Sequence, residues 1–143
     1  MTKPLTIAVI AGEVSGDQLG GWLMEAIRAK RPDVKFIGLG GPQMQGQGLT
    51  SLFPIKDIAL IGIAEVLPHA LNIMRRIRQM VLFLEREKPD MVITIDLPGF
   101  SLRVLKKLHA RGKIRPTYVH YVAPTVWAYR PERAKVVAER YDH

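Results

Sequence analysis

One carboxylate of this sequence stands where open α/β proteins place their catalytic groups. Asp96 ends an apolar run that begins at Met91, and a stiff turn, Leu97-Pro98-Gly99-Phe100, follows it. In such folds the carboxyl ends of buried strands face the ligand cleft, and a carboxylate there can take a proton from a hydroxyl group. We therefore predict that Asp96 is a general base. The alternative is that Asp96 only caps the helix that follows.

A second polar group lies in the turn after the first apolar run. The segment Ala11 to Asp17 contains Glu13, Ser15 and Asp17 but lacks the lysine of a P-loop and the glycine spacing of a dinucleotide fingerprint. Two carboxylates beside a helix amino terminus would repel phosphate and suit a ligand rich in hydroxyl or amide groups, such as a sugar. The structural alternative is that Ser15 caps the helix and Asp17 favours its dipole.

The long helical pattern over residues 68–87 has more apolar residues than a core face needs. The stripe expected to face the core contains Ala70, Ile73, Ile77, Val81 and Leu84. A second stripe and the loop before it are apolar and edged with arginine: Ile61, Ile63, Val66, Leu67, Leu71, Met74, Arg75, Arg76 and Arg78. This combination is typical of a surface that meets anionic lipid. The alternatives are packing in the core, a contact with another domain and an oligomer interface.

The segment from Tyr118 to Arg130 is rich in aromatic residues. Its first part alternates as a strand does, with His120 on the same face as Tyr118, and Trp127 and Tyr129 could stack on a sugar or an acyl chain. Aromatic residues near cations also occur in nucleic-acid sites, but the sequence has no recognition-helix or RNP-like signature. Hydrogen-bonded structure is the more frequent role of a lone strand histidine such as His120.

Apolar runs alternate with helical patterns along the chain, which predicts an α/β fold with a mainly parallel sheet. The predicted strands are 5–11, 34–38, 91–95 and 117–122, and the predicted helices are 17–30, 68–87, 100–110 and 131–141, with a short helix after Gly40-Gly41-Pro42. Residues 50–63 are expected to hold one short strand and an irregular loop, and residues 123–129 an aromatic loop.

The composition limits the class of protein. The 143 residues suit one domain, nearly half of them are apolar, and no run of about 18 apolar residues could span a bilayer. The apolar run near Met1 is too short for a secretory signal, and the absence of cysteine excludes disulfides and thiolate metal sites, so we expect a cytoplasmic protein. The net charge of +8 favours anionic partners without choosing among them.

Five segments in order resemble the lipid-A-disaccharide synthase family. They are Ala11-Gly-Glu-Val-Ser-Gly-Asp17, Gly38-Leu-Gly-Gly-Pro-Gln-Met44, Ile61-Gly-Ile-Ala-Glu-Val-Leu67, Ile95-Asp-Leu-Pro-Gly-Phe100 and His120-Tyr-Val-Ala-Pro-Thr-Val-Trp-Ala128. Each is a weak signal alone, but five in order across nearly the whole chain are specific.

The resemblance implies a Rossmann-like amino-terminal domain of a GT-B glycosyltransferase. That enzyme would transfer 2,3-diacylglucosamine from UDP-2,3-diacylglucosamine to 2,3-diacylglucosamine 1-phosphate, with inversion, without a metal or cofactor, and with loss of UDP. Asp96 matches the family's proposed base for the acceptor 6-hydroxyl. Glu13, Ser15 and Asp17 match polar residues of the cleft, and the segment from Ile61 to Met74 matches the region thought to meet acyl chains and membrane.

The resemblance also implies a place and a set of partners. The chain would be one acceptor-side domain, 1–143, without the carboxyl-terminal UDP-binding half, and would be inactive alone. It would act peripherally on the inner face of the bacterial inner membrane, with no nucleic acid, and would pair with itself or with the missing half. Gly99 and Ser101 depart from the family pattern, which places Asp and Asn there, and leave fewer polar groups to orient the substrate.

Two other functions fit the residues. One is a GT-B enzyme with a soluble acceptor, which would not need the apolar rim of the long helix. The other is a non-catalytic, basic module that docks on a membrane or on nucleic acid, whose binding would weaken steeply with salt if phosphate contacts dominated.

Overall fold

The computed structural model describes residues 4–59, 67–95, 98–121 and 140–143, and within these it omits the side chains of 59, 67–70 and 98. The elements are β1 (Thr6–Ala11), α1 (Val14–Lys30), β2 (Lys35–Leu39), α2 (Pro42–Gln45), α3 (Lys56–Ala59), α4 (Leu67–Glu87), β3 (Met91–Ile95), α5 (Pro98–Arg111) and β4 (Thr117–Tyr121).

The four strands form one parallel sheet in the order β2-β1-β3-β4. From β1 the chain passes to β2 on one side, crosses back to β3 on the other side of β1, and continues outward to β4. This reversal beside β1 is the switch point at which doubly wound α/β folds bind their ligands. The predicted α/β, Rossmann-like fold is confirmed.

Two apolar layers cover the sheet because its strands are apolar on both faces. Helices α1 and α2 cover one face, where Met24 and Met44 pack against Val9 and Ile93. Helices α4 and α5 cover the other, where Leu84 and Leu105 are fully buried. The predicted core stripe of α4 is confirmed for its described members: Ile77, Val81 and Leu84 are buried, and Ile73 is partly buried.

Local signals end the helices as the sequence predicts. Helix α4 stops before Lys88, whose φ is +49°, and Pro89 follows it. Helix α5 stops before Gly112, whose φ is +61°. Several boundaries differ from their predictions: α5 begins at Pro98 rather than Phe100, and β2 ends at Leu39 rather than Gly38. The largest difference is in α1, which begins at Val14 rather than Asp17; Gly16 lets its first turn lie close to the sheet, where an added Cβ would be 3.3 Å from the Ala11 Cβ.

The predicted short strand within residues 50–63 is also wrong for the residues that the structure describes. In the described ranges, a single parallel bridge from Gly38 to Ser51 extends the sheet beyond β2. Pro54 comes three residues later and has no N–H group to donate to a strand ladder, and the chain turns there into α3. The predicted elements after Tyr121 lie outside the described residues, apart from residues 140–143.

Candidate functional site at the carboxyl edge of the sheet

The carboxyl ends of the strands meet at one edge of the sheet. Ile10 pairs with Leu39, and Ile95 pairs with both Ala11 and Tyr121. The turns after β1 and β2 therefore leave the sheet side by side. Asp96 directly follows Ile95 in the sequence, and it lies outside the described residues, as do Trp127, Ile61, Ile63 and Val66. Their predicted roles stay predictions.

Glu13 and Ser15 stand at the amino terminus of α1, at this edge. Glu13 is the N-cap residue, with extended backbone, and its side chain makes no capping hydrogen bond. Ser15 lies inside the helix and is exposed. The interpretation of Ser15 as the helix cap is therefore wrong. Within the described part of the chain neither side chain has a hydrogen bond, so both oxygens are available to a hydroxyl-rich ligand.

Asp17 has a different position from its two neighbours in the motif. Its side chain is buried and accepts three backbone hydrogen bonds from the segment after β2: from the N–H of Gly41 at 2.8 Å, Gln43 at 3.0 Å and Met44 at 3.0 Å. These are the unpaired donors at the start of α2, so Asp17 caps that helix from another element. It also lies in the first turn of α1, as the dipole interpretation predicts. The geometry favours a structural role for Asp17; direct contact with substrate stays a prediction.

The hydrogen bonds of Asp17 to the start of α2 require glycine at position 41. A Cβ at Gly41 would lie 2.7 Å from Asp17 Oδ2, which is closer than any carbon and oxygen can approach without displacement. Just before it, Gly38 has a φ of +132°, and a Cβ there would lie 2.2 Å from the Val9 carbonyl oxygen. Gly38 therefore lets this segment pack closely against β1, and Gly41 lets it pack closely against Asp17. The hydrogen bonds of Asp17 join the turns after β1 and β2 into one unit.

A buried polar cluster lies beneath the edge, between β3 and β4. The Thr94 hydroxyl is fully buried and is 2.6 Å from His120 Nδ1 and 2.7 Å from the Tyr141 hydroxyl. Burial raises the pKa of Tyr141 to about 12, so its hydroxyl keeps its proton at neutral pH. His120 therefore has the role described above as more frequent for a strand histidine, which is a hydrogen bond within the folded structure. The cluster joins residues 140–143 to the strand from which Asp96 follows.

Replacing Thr94 with valine, which has the same shape, is expected to lower the free energy of unfolding by about 1–3 kcal/mol. The change removes the hydroxyl to which both rings are hydrogen-bonded and leaves the apolar packing in place. Urea unfolding followed by far-UV circular dichroism measures it, with the exposed Thr50→Val as the control. Equal stability of the two variants would contradict this account of the cluster.

The apolar, arginine-edged surface predicted to meet lipid, from Ile61 to Arg78, is here called the lipid rim. Most of its described side chains are exposed. The side chain of Leu71 is 73% exposed and that of Met74 is 55% exposed, and Arg75 and Arg78 are also exposed. Arg76 differs, because it pairs with Asp57 of α3, and its guanidinium lies 4.7 Å from the centre of the Phe53 ring. Arg76 is therefore part of the packing between α3 and α4, whereas the other two arginines face solvent.

Three exposed apolar residues, Val14, Trp22 and Leu82, were not among the sequence predictions. Leu82 is 44% exposed and lies eleven residues, about three helical turns, after Leu71, so it extends the same side of α4. Val14 is 82% exposed between Glu13 and Ser15. The position of Leu82 on the same side of α4 as Leu71 could have been predicted from its spacing in the sequence. The exposure of Val14 could not, because it depends on where α1 begins.

The family model described as lipid-A-disaccharide synthetase matches residues 7–143. The chain belongs to this family. Among relatives of the family, the lipid-A-disaccharide synthase of Rhodospirillum centenum is 51% identical over 142 residues, which are 99% of this chain and 35% of that protein. That of Granulibacter bethesdensis is 49% identical over 135 residues, which are 94% of this chain and 33% of that protein. That of Pseudomonas aeruginosa is 44% identical over 142 residues, which are 99% of this chain and 37% of that protein.

The resemblance inferred from five motifs is thus confirmed over the whole chain. The chain spans about a third of the length of these lipid-A-disaccharide synthase relatives. Within the described residues, no helix is long and apolar enough to cross a membrane.

Proposed function

We propose that this chain is the acceptor-side domain of a lipid-A-disaccharide synthase. In the complete enzyme, 2,3-diacylglucosamine moves from UDP to the 6-hydroxyl of 2,3-diacylglucosamine 1-phosphate. The observation that carries the proposal is the match of residues 7–143 to a family whose curated relatives are named for this synthesis.

The chemistry proposed for this edge is an inverting displacement. Asp96 removes the proton of the acceptor 6-hydroxyl as the oxygen attacks C1 of the donor sugar. The bond between C1 and the UDP oxygen breaks, and UDP leaves with the electron pair. The open carboxylate of Glu13 and the hydroxyl of Ser15 suit hydrogen bonds to sugar hydroxyls, and they lie at the edge where Asp96 follows β3. Trp127 adds an aromatic surface on which a sugar ring or an acyl chain could stack.

The same proposal places the enzyme on the inner face of the bacterial inner membrane. Leu71 and Met74 project from α4, and Arg75 and Arg78 flank them, so the described part of the rim offers apolar contact and positive charge together. Ile61, Ile63, Val66 and Leu67 are the remaining proposed contacts. The UDP site is proposed to lie in the part of the complete enzyme that corresponds to the region of the relatives not covered by this chain, and neither nucleic acid nor a cofactor takes part.

A GT-B enzyme with a soluble acceptor would have no use for this exposed rim. Replacing Leu71 and Met74 together with serine is expected to weaken binding to phosphatidylethanolamine–phosphatidylglycerol vesicles by at least about tenfold, because each buried methylene contributes about 0.8 kcal/mol. Vesicle sedimentation measures the change. Trp22→Ser is the matched control, since Trp22 is 60% exposed on α1, across the sheet from α4.

Unchanged vesicle binding by the double variant would remove the lipid rim from the proposal and favour the soluble acceptor. An equal loss in Trp22→Ser would indicate nonspecific adsorption. Binding that disappears at high salt for every variant would instead favour a basic module held by phosphate contacts.

A further inference from the structure

A cavity of about 440 Å³ opens beside the loop after β2. The backbone of Gly40 and Gly41 and the side chains of Leu52, Phe53 and Ile55 form its wall. Because β2 ends at Leu39, the cavity lies at the same edge of the sheet as the candidate site. Its size falls within the range of ligand pockets, which is about 300–1,000 Å³.

The backbone N–H groups of Gly40 and Gly41 and the hydroxyl of Ser51 already have hydrogen-bond partners within the protein, and the exposed amide of Gln45 is a further polar group of the lining. The Gly40 N–H donates to Ser51 Oγ at 3.1 Å, and that hydroxyl donates to the Phe53 carbonyl oxygen at 2.6 Å. The Gly41 N–H donates to Asp17. A sugar hydroxyl or a nucleotide base placed here would lose water and gain few hydrogen bonds in return. The wall therefore suits an apolar ligand.

The mouth of the cavity carries a positive charge. Lys56 lines it and is exposed, and within the described part of the chain it has no ion pair. An apolar wall with an ammonium group at its mouth fits an acyl chain attached to an anionic head. We propose that this cavity binds one acyl chain of an anionic acylated sugar, with the phosphate beside Lys56. This inference rests on the proposed function and adds a subsite to it.

The cavity is joined to the helix that carries the lipid rim. Phe53 of the wall lies under the Arg76 guanidinium, and Arg76 also pairs with Asp57, one residue after Lys56. The wall, α3 and α4 therefore form one packed unit, and the cavity stands next to the helix from which Leu71 and Met74 project. An acyl chain that enters along this helix reaches an apolar site at the edge of the sheet.

Alkyl phosphates from hexyl to hexadecyl, below their micelle concentrations, test the subsite by calorimetric titration of the purified 143-residue chain. The affinity is expected to rise about two- to fourfold per added methylene and then to stop rising once the cavity is full. Ile55→Asp is expected to lower the affinity for the longer chains at least about tenfold. Ile55→Phe, which fills the cavity without adding charge, should move the plateau to shorter chains.

Control variants separate this cavity from the rest of the surface. Leu82→Asp changes an exposed leucine of α4 outside the cavity and should leave binding unchanged. Lys56→Gln should weaken every chain length by the same factor and leave binding of alkyl alcohols unchanged. An affinity that rises without a plateau, or that responds to Leu71→Ser/Met74→Ser instead of to the Ile55 variants, would overturn the proposal.

Two further probes distinguish the source of the acyl chain. Monoacylated glucosamine 1-phosphate should bind more tightly than lysophosphatidic acid of equal chain length, and the opposite order would assign the cavity to phospholipid and overturn the sugar assignment. The subsite can fail independently of the function: if the complete enzyme transfers sugar normally with Ile55→Asp, the proposed function stands and this inference falls.

Discussion

Replacing Asp96 with asparagine in the complete enzyme is expected to lower turnover by at least about a hundredfold while the fold stays intact. The amide cannot take the proton of the acceptor hydroxyl, so the attacking oxygen is a much weaker nucleophile. Substrate binding should change little, because the amide has nearly the shape of the carboxylate. The disaccharide product and released UDP measure turnover, and thermal unfolding measures the fold.

The pH dependence of this variant gives a second test. If Asp96 is the base, the rise of kcat/KM with pH that reports its ionisation should be absent from Asp96→Asn. Asp33→Asn is the control, because Asp33 is a half-exposed carboxylate that pairs with Arg31. It precedes the amino end of β2, at the opposite edge of the sheet from the candidate site. Turnover of Asp96→Asn close to that of the control would remove Asp96 from the mechanism.

The Asp17→Ala variant is expected to lose about 3 kcal/mol of the free energy of unfolding. The change leaves the N–H groups of Gly41, Gln43 and Met44 without their shared acceptor and removes a negative charge from two helix amino termini. Asp17→Asn should lose about half as much, since its oxygen can still accept two of the bonds while its amide nitrogen faces the third donor. Urea unfolding measures both.

This pair of variants also decides between the two roles of Asp17. A structural role predicts lost stability without any ligand, whereas a contact to substrate predicts normal stability and a raised KM in the complete enzyme. The exposed Asp33→Ala supplies the reference for removing a carboxylate. A stability loss below about 0.5 kcal/mol, the usual range of surface substitutions, would contradict the structural role.

The cap by Asp17 has a consequence for the apolar cavity. Gly41 is bound by Asp17 and also lines the cavity, and an added Cβ at Gly41 would lie 3.2 Å from Ile55 Cδ1. The position of the cavity wall therefore depends on the hydrogen bonds of Asp17. Asp17, which the sequence predicts to contact substrate, thus helps to position the cavity wall through its hydrogen bond with Gly41.

Long, strongly patterned segments were predictable without coordinates. The β3 strand is Met91–Ile95 as predicted, and α4 differs from its predicted start by one residue, because an apolar strand and a twenty-residue amphipathic pattern leave few alternatives. The segment around Ser51 was not predictable to the same degree. Its pairing with Gly38 is a single bridge between positions thirteen residues apart, which no local pattern specifies.

The sequence by itself determined the α/β class, the family, and the positions of the motifs, because periodicity and motif order are properties of the chain alone. Only the tertiary structure decided which motif residues face outward. Glu13, Ser15 and Asp17 lie within five residues, yet among the described residues the first two side chains have no hydrogen-bond partner, whereas the third is buried and accepts a hydrogen bond from a loop 24 residues away. Likewise Arg75 and Arg76 are adjacent, but only Arg76 meets Asp57 and Phe53. The physical reason is that a buried polar side chain must pair with a hydrogen-bond donor or a charge close to it in space. Here these partners belong to segments far apart in the sequence, which come together only when the sheet has formed.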